Sequence, residues 1–217
     1  MNQASLLPDT GPLPDLDALY DPPAERIQKS VLGHLIDFHL DYLQAATFFC
    51  LATGSERGLD ASPRGGPPGF VRALDAHHVA FADWPGNNRI ESLRNLEQDA
   101  RVGLLFLFPG LDIFMRINGR ARATLDPTLL ARLAEGGKLP KTAIVVAIDE
   151  VLFHCGKAIN RAGLWREEAR LDRHALPTPG QMVVAMNAAA EGKPVNPAAA
   201  AQLDAHYEHA VRHDLYG

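Results

Sequence analysis

The sequence predicts a mainly β protein with flanking helices, an antiparallel barrel, and three observations lead there. First, Asp112–Asp126, "DIFMRINGRARATLD", has odd positions that are all apolar or small and even positions that are polar in seven of eight cases. Period two over such a length belongs to a strand with one buried face, not to a helix. Second, "GFVRALD" and "HHVAFAD" read as two strands joined by a tight turn near Asp75–Ala76. That turn leaves no room for the crossover helix a parallel pair requires. Third, the apolar runs "TFFCLATGS", "VGLLFLFP" and "TAIVVAIDEVLFHC" bring the expectation to about five to seven strands, a small barrel.

In chain order, residues 1–24 are rich in Pro, Asp and Leu without a period and read as an acidic arm. Residues 25–47 are expected to form one amino-terminal helix, because Ile27, Val31, Leu35, Phe38 and Tyr42 recur at three and four residues. The strand "TFFCLATGS" then enters a Gly-bearing turn at "ERGLD", and Ser62–Phe70, "SPRGGPPGF", reads as a Pro/Gly stretch displaying Arg64. Val102–Pro109 is apolar at every position, so both faces are expected to be buried. "DPTLLARLAEGG" reads as a short helix with an Asp cap and a Gly stop. The barrel is expected over 48–165 and a helical extension over 166–217.

At 217 residues the chain is long enough for one domain with accessory segments. The net charge of −5 lies wholly in residues 1–25, which hold five acids and no Lys or Arg; the other 192 residues carry 21 bases and 21 acids. A balanced body argues against nucleic-acid binding. Two cysteines, Cys50 and Cys155, make no disulfide framework, and no apolar run approaches the length of a membrane span. With no secretory leader pattern at the amino terminus, a soluble cytoplasmic protein is expected.

The stretch with most chemistry is "ADWPGNNRIESLRN", Ala82–Asn95. Asn88 reads as the N-cap of a helix whose buried side is Ile90, Leu93 and Leu96. Arg89 supplies a cation with a fork of donors, Ser92 a hydroxyl one turn on, and Asn87 and Asn88 amides. Donors converging with a charge suit a phosphate. Arg64, exposed among glycines and prolines, and the even face Arg116, Asn118, Arg120 and Arg122 add further donors; either set can equally be solvated surface.

These stretches carry a resemblance. "ASPRGG", then "FADWPGNNRIESLRNLEQDARVGLLFLFPG", then "MRINGRA", in this order and spacing, resemble the pyridoxamine 5′-phosphate oxidase-related FMN-binding family, in particular its flavin-nucleotide-binding branch. The likeness runs from Phe48 to Trp165. It implies a split-barrel homodimer with FMN in a crevice between subunits. By position it implies that Arg64, with Ser62 nearby, reaches the FMN phosphate, joined by Arg89, Ser92, Asn87 and Asn88. It further implies that Asp83 and Trp84 lie near the ribityl chain or ring, and it brings in Lys157 through the resemblance of "FHCGKAINRAGLW". The glutamine that faces the flavin in the oxidases proper falls at Phe114 here, so vitamin B6 oxidation is not implied.

Other residues carry weaker signals. His206, His209 and His213 share a helix face beside Asp214, but one straight helix cannot wrap ligands tetrahedrally around zinc. His34, Asp37 and Asp41 share another face, and His154 reads as a core histidine at a strand end. No nucleophile-elbow, zincin, P-loop or dinucleotide-binding motif occurs. The expectation is an FMN-binding oxidoreductase acting on a small molecule, with no catalytic residue named. The alternatives are a flavin carrier or redox sensor, or a barrel holding haem or deazaflavin.

Overall fold

The computed structural model describes residues 11–12, 14–84, 86, 88–173 and 175–216. The chain divides into two units, Met1–Val31 and Leu32–Gly217. In the first, the described residues form two one-turn helices, α1 (Leu16–Leu19) and α2 (Glu25–Gln28). In the second, α3 (Asp37–Ala45) precedes the strands β1 (Phe48–Ser55), β2 (Gly58–Gly65), β3 (Arg72–Asp75) and β4 (His78–Asp83). Then come α4 (Glu91–Leu96), β5 (Arg101–Leu107), β6 (Ile113–Thr124), α5 (Pro127–Arg132), β7 (Thr142–Cys155), α6 (Lys157–Ala162), α7 (Pro179–Glu191) and α8 (Pro197–His213).

The seven strands make one antiparallel sheet in the order β2-β1-β5-β6-β7-β4-β3, which is not closed. Phe49 of β1 and Phe81 of β4 lie on strands well apart in that order, yet their rings meet edge to face at 4.9 Å. The sheet therefore rolls over so that its two halves share one core, as expected of a split barrel. Phe49, Leu51, Phe81, Leu104, Phe106, Met115, Ile117 and Ile144 fill it, all fully buried. The alternation of β6 holds: Met115, Ile117, Gly119 and Ala121 face inward while Arg120 and Arg122 are exposed.

At Asn118–Gly119 the β6–β7 register slips, with Asn118 opposite Glu150 and Gly119 opposite Ile148. A Cβ on Gly119 would lie 2.1 Å from the Ala147 carbonyl oxygen, so only glycine lets the bulged strands approach this closely. β2 is an edge strand, which is why Pro63 is tolerated opposite Cys50.

Two expectations are corrected. Residues 25–47 are not one helix: α2 ends where the Ser30 hydroxyl donates to the Ile27 carbonyl. Leu32 then exchanges both backbone hydrogen bonds with Val151 of β7, which demands extended chain. Ile27 and Phe38 are exposed, and the buried side of α3 is His39 and Leu43 instead. β5 buries only one face, through Val102, Leu104 and Phe106; Gly103 and Leu105 on the other lie partly open.

Candidate functional site

β2 alternates, and the alternation builds one wall of a cavity of about 560 Å³. All six residues Asp60–Gly65 line it; Asp60, Ser62 and Arg64 at i, i+2 and i+4 are half-buried, whereas Ala61, Pro63 and Gly65 between them are exposed. The end of β4 and the chain after it supply Asp83, Trp84, Gly86, Asn88 and Arg89, and α4 supplies Glu91 and Ser92. The structure thus brings together Ser62, Arg64, Asp83, Asn88, Arg89 and Ser92 from segments far apart in sequence. Asn87 lies outside the described residues.

The hydrogen bonding is specific. Arg64 Nη1 donates to Ser62 Oγ at 2.5 Å and to the Pro63 carbonyl at 3.0 Å, and Nη2 stands 3.7 Å from Asp83 Oδ1. Burial pushes the Asp83 carboxyl above its ordinary pKa, and the Arg64 cation partly opposes that rise. Ser92 is buried and donates to Asp60 Oδ2 at 3.0 Å. Arg89, largely exposed, donates through Nε to Glu91 Oε1 at 3.1 Å. Each acid on the wall is therefore matched with a donor or a cation. Two N–H groups are not: Arg64 Nε and Trp84 Nε1 are buried without a partner. A buried donor left unpaired costs about 1–3 kcal/mol, so these two mark where an acceptor fits.

Two readings of the helix start are corrected. Ile90 is exposed and not part of the buried side of α4. Asn88 is not the N-cap of α4. Ile90 holds that position without a side-chain cap, and Asn88 adopts φ 60°, a left-handed conformation asparagine tolerates. The short helix is fixed from behind, where buried Asn95 donates to Thr53 Oγ1 of β1 at 3.0 Å.

Lys157 is not brought to this cavity within one chain. It lines another, of about 710 Å³, on the open face of the sheet with Cys50, Leu105, Phe114, Arg116 and His154. There Glu150 accepts from Arg116 at 3.1 Å and from Asn118 at 2.7 Å. Burial, aided by the Arg116 cation, holds the His154 imidazole below its usual pKa. On α8 the rings of His209 and His213 stand 4.8 Å apart. Among the described residues no cluster of three or more metal-ligating side chains forms, and no helix is long and apolar enough to cross a membrane.

Sequence reasoning missed Asp60 and Glu91, two of the three acids lining the cavity, and Tyr216, whose ring packs edge-on against Trp84 at 4.8 Å. The period-two spacing of Asp60, Ser62 and Arg64 was the signal for the first. Nothing local announces Tyr216.

Comparison with known proteins gives the chain its relatives. No curated protein matches it. Its fold is similar to that of HupZ from Group A Streptococcus, at 15% identity and a TM-score of 0.44 over 54% of this chain and 92% of that one. The General Stress Protein 26 from Bacillus anthracis str. Sterne is 13% identical, with a TM-score of 0.42 over 52% and 88% of the two chains. An FAD binding protein from Mycobacterium smegmatis is 14% identical, with a TM-score of 0.40 over 57% and 97%. The model of the Pyridoxamine 5′-phosphate oxidase family matches residues 35–155, more than half of the sequence and the whole of the sheet, and the chain belongs to that family.

Proposed function

We propose that the chain is an FMN-binding protein that acts as a flavin-dependent oxidoreductase on a small molecule, as a homodimer in the cytoplasm. The observation that carries this reading is the mixed chemistry of the 560 Å³ cavity: cations and carboxylates on one wall, with two buried N–H groups still seeking acceptors. A bare phosphate would meet Asp60, Asp83 and Glu91 as repulsion. A phosphate ester on a polyhydroxylated chain suits the wall better, because its phosphate accepts and its hydroxyls donate.

In this reading Arg64 and Ser62 hold the phosphate, with Arg89 and Ser92 at its other side and Asn88 beside them. Asp83 and Asp60 accept from the sugar-alcohol chain, and Trp84 offers its indole N–H. FMN, when bound, supplies hydride or electron transfer through its ring, and the protein contributes anchoring and shape. Family membership supports a flavin over other cofactors. The partly open apolar face around Leu105 and Phe114 is the surface a second copy would cover, carrying Lys157 with it. Two free cysteines suit a reducing compartment.

The test is a visible absorption spectrum of the purified protein before and after adding FMN, with gel filtration alongside. A flavin spectrum that co-elutes with a dimer supports the reading, and reduction of that flavin by NADH or NADPH separates an oxidoreductase from a carrier. A colourless protein that ignores FMN overturns it.

A further inference from the structure

The α7–α8 hairpin forms a second, half-open chamber of about 590 Å³ against the loop that walls the first. At their crossing the two helices nearly touch: a Cβ on Gly180 would lie 2.3 Å from the Ala200 carbonyl oxygen, and Asp204 accepts from Gly180 N and Thr178 Oγ1. The chamber walls are Val183, Leu203, Tyr207, Val211 and Leu215. Gly86 belongs to both cavities and carries no side chain to part them; the space where its Cβ would stand is open. Beyond the hairpin the tail is tied to the same wall, since Tyr216 packs on Trp84.

The size is that of a small-molecule site. The polar groups are few, His206, Asp214 and the Tyr207 hydroxyl, and among the described lining residues there is no Lys or Arg. An anion would therefore meet one carboxylate and no Lys or Arg. A flat, uncharged aromatic molecule finds apolar walls and hydrogen-bonding groups at the rim. We infer that this chamber binds a small uncharged aromatic compound next to the cofactor cavity. That compound is the small molecule of the proposed function, and in naming it the inference rests on that reading.

The full-length protein is titrated calorimetrically with 2-naphthol, with its anionic counterpart 2-naphthoate, and separately with FMN. The expected result is one 2-naphthol per chain, 2-naphthoate weaker by about tenfold or more, and 2-naphthol weakened by about tenfold or more in each of Val183→Trp and Val211→Trp. Both valines are partly exposed, so the larger ring fills the chamber without entering the barrel core. FMN affinity in both variants stays at the parent value. The inference is overturned if 2-naphthol does not bind, if 2-naphthoate binds as tightly, or if the variants bind 2-naphthol as the parent does. It also falls if Val211→Trp dissociates the dimer with 2-naphthol binding intact, which assigns the hairpin face to a second copy. Naphthol binding in a protein that ignores FMN removes the flavin reading and leaves the chamber standing.

Discussion

Arg64 and Asp83 face each other at 3.7 Å across the candidate site, each with its side chain only 20% exposed. The separation is too long for a direct hydrogen bond, yet the pair is sheltered enough for charge to matter. Burial raises the Asp83 pKa and Arg64 restrains it. Replacing Arg64 with Met is expected to do two things. It weakens FMN binding by a charge-assisted contact, about 1.5–3 kcal/mol, read by flavin titration. It also lets the Asp83 pKa rise further, read by a carboxyl NMR titration. A carboxyl raised in the folded state keeps its proton after the unfolded chain has lost it. The variant's stability therefore falls as pH climbs from the ordinary carboxylate value through the folded one, and more steeply than the parent's.

Arg89 differs from Arg64 in exposure, with its side chain 72% open and its Nε on Glu91. Solvent screening discounts such a cation. Arg89→Ala is therefore expected to weaken FMN binding by a smaller factor than Arg64→Met, and its effect should shrink as salt is added while that of Arg64 persists. Titrations of both variants at low and high ionic strength compare them directly. An Arg89 loss equal to that of Arg64 would move the phosphate anchor to the loop.

His39 is 3% exposed, stacks on Phe153 at 5.2 Å, and accepts the Ile36 N–H through Nδ1 at 3.1 Å. Accepting requires the neutral ring. Burial, with the neighbouring His34, holds its pKa below 6.5. As pH drops past that value the unfolded chain takes up a proton that the folded chain refuses, so stability is full above 6.5 and lost as pH falls through the folded pKa. His39→Gln keeps an acceptor at the same helix position without titrating. Its denaturation midpoint is expected to be lower near neutral pH but flatter between neutral and mildly acid pH.

The sheet was legible because strand period is a local property: β6 and the β3–β4 hairpin each carry their signal within about fifteen residues or fewer. The site was legible in part. Arg64, Arg89 and Ser92 could be named because polar residues interrupt apolar runs there, whereas Asp83 was named only through the family resemblance. The break between Gln28 and Asp37 was not legible, since the apolar spacing continues across it and the extended chain at Leu32 is set by its pairing with Val151, far along the sequence. Tyr216 is a long-range partner of the same kind, visible only once the tail meets Trp84, and the bond from Ser92 to Asp60 forms only once β2 meets α4.

Gly119 tests the bulge that lets β6 and β7 approach. In Gly119→Ala the new methyl would stand 2.1 Å from the Ala147 carbonyl oxygen and 3.2 Å from Val146 Cγ1, and neither backbone can retreat without breaking ladder hydrogen bonds. Overpacking of this kind costs about 1–3 kcal/mol. The expected result is a lower thermal midpoint of the unloaded protein. Gly86→Ala, placed in open space, leaves that midpoint unchanged.

Tyr216 carries the last prediction, because it connects the tail to the cavity wall. Its ring meets Trp84 edge-on at 4.8 Å, at 74° between planes, so it holds the indole that lines the cavity. An aromatic pair of this geometry contributes about 0.5–1.5 kcal/mol. Tyr216→Ala is expected to free Trp84, shifting its emission to the red and weakening FMN by at most about tenfold. Tyr216→Phe keeps the ring contact and is expected to stay close to the parent. The only other tryptophan, Trp165, donates to the Leu111 carbonyl at 2.9 Å, away from the tail. A Trp84→Phe background therefore assigns the emission change. Unaltered emission and unaltered FMN affinity in Tyr216→Ala would show that the tail lies beside the site without shaping it.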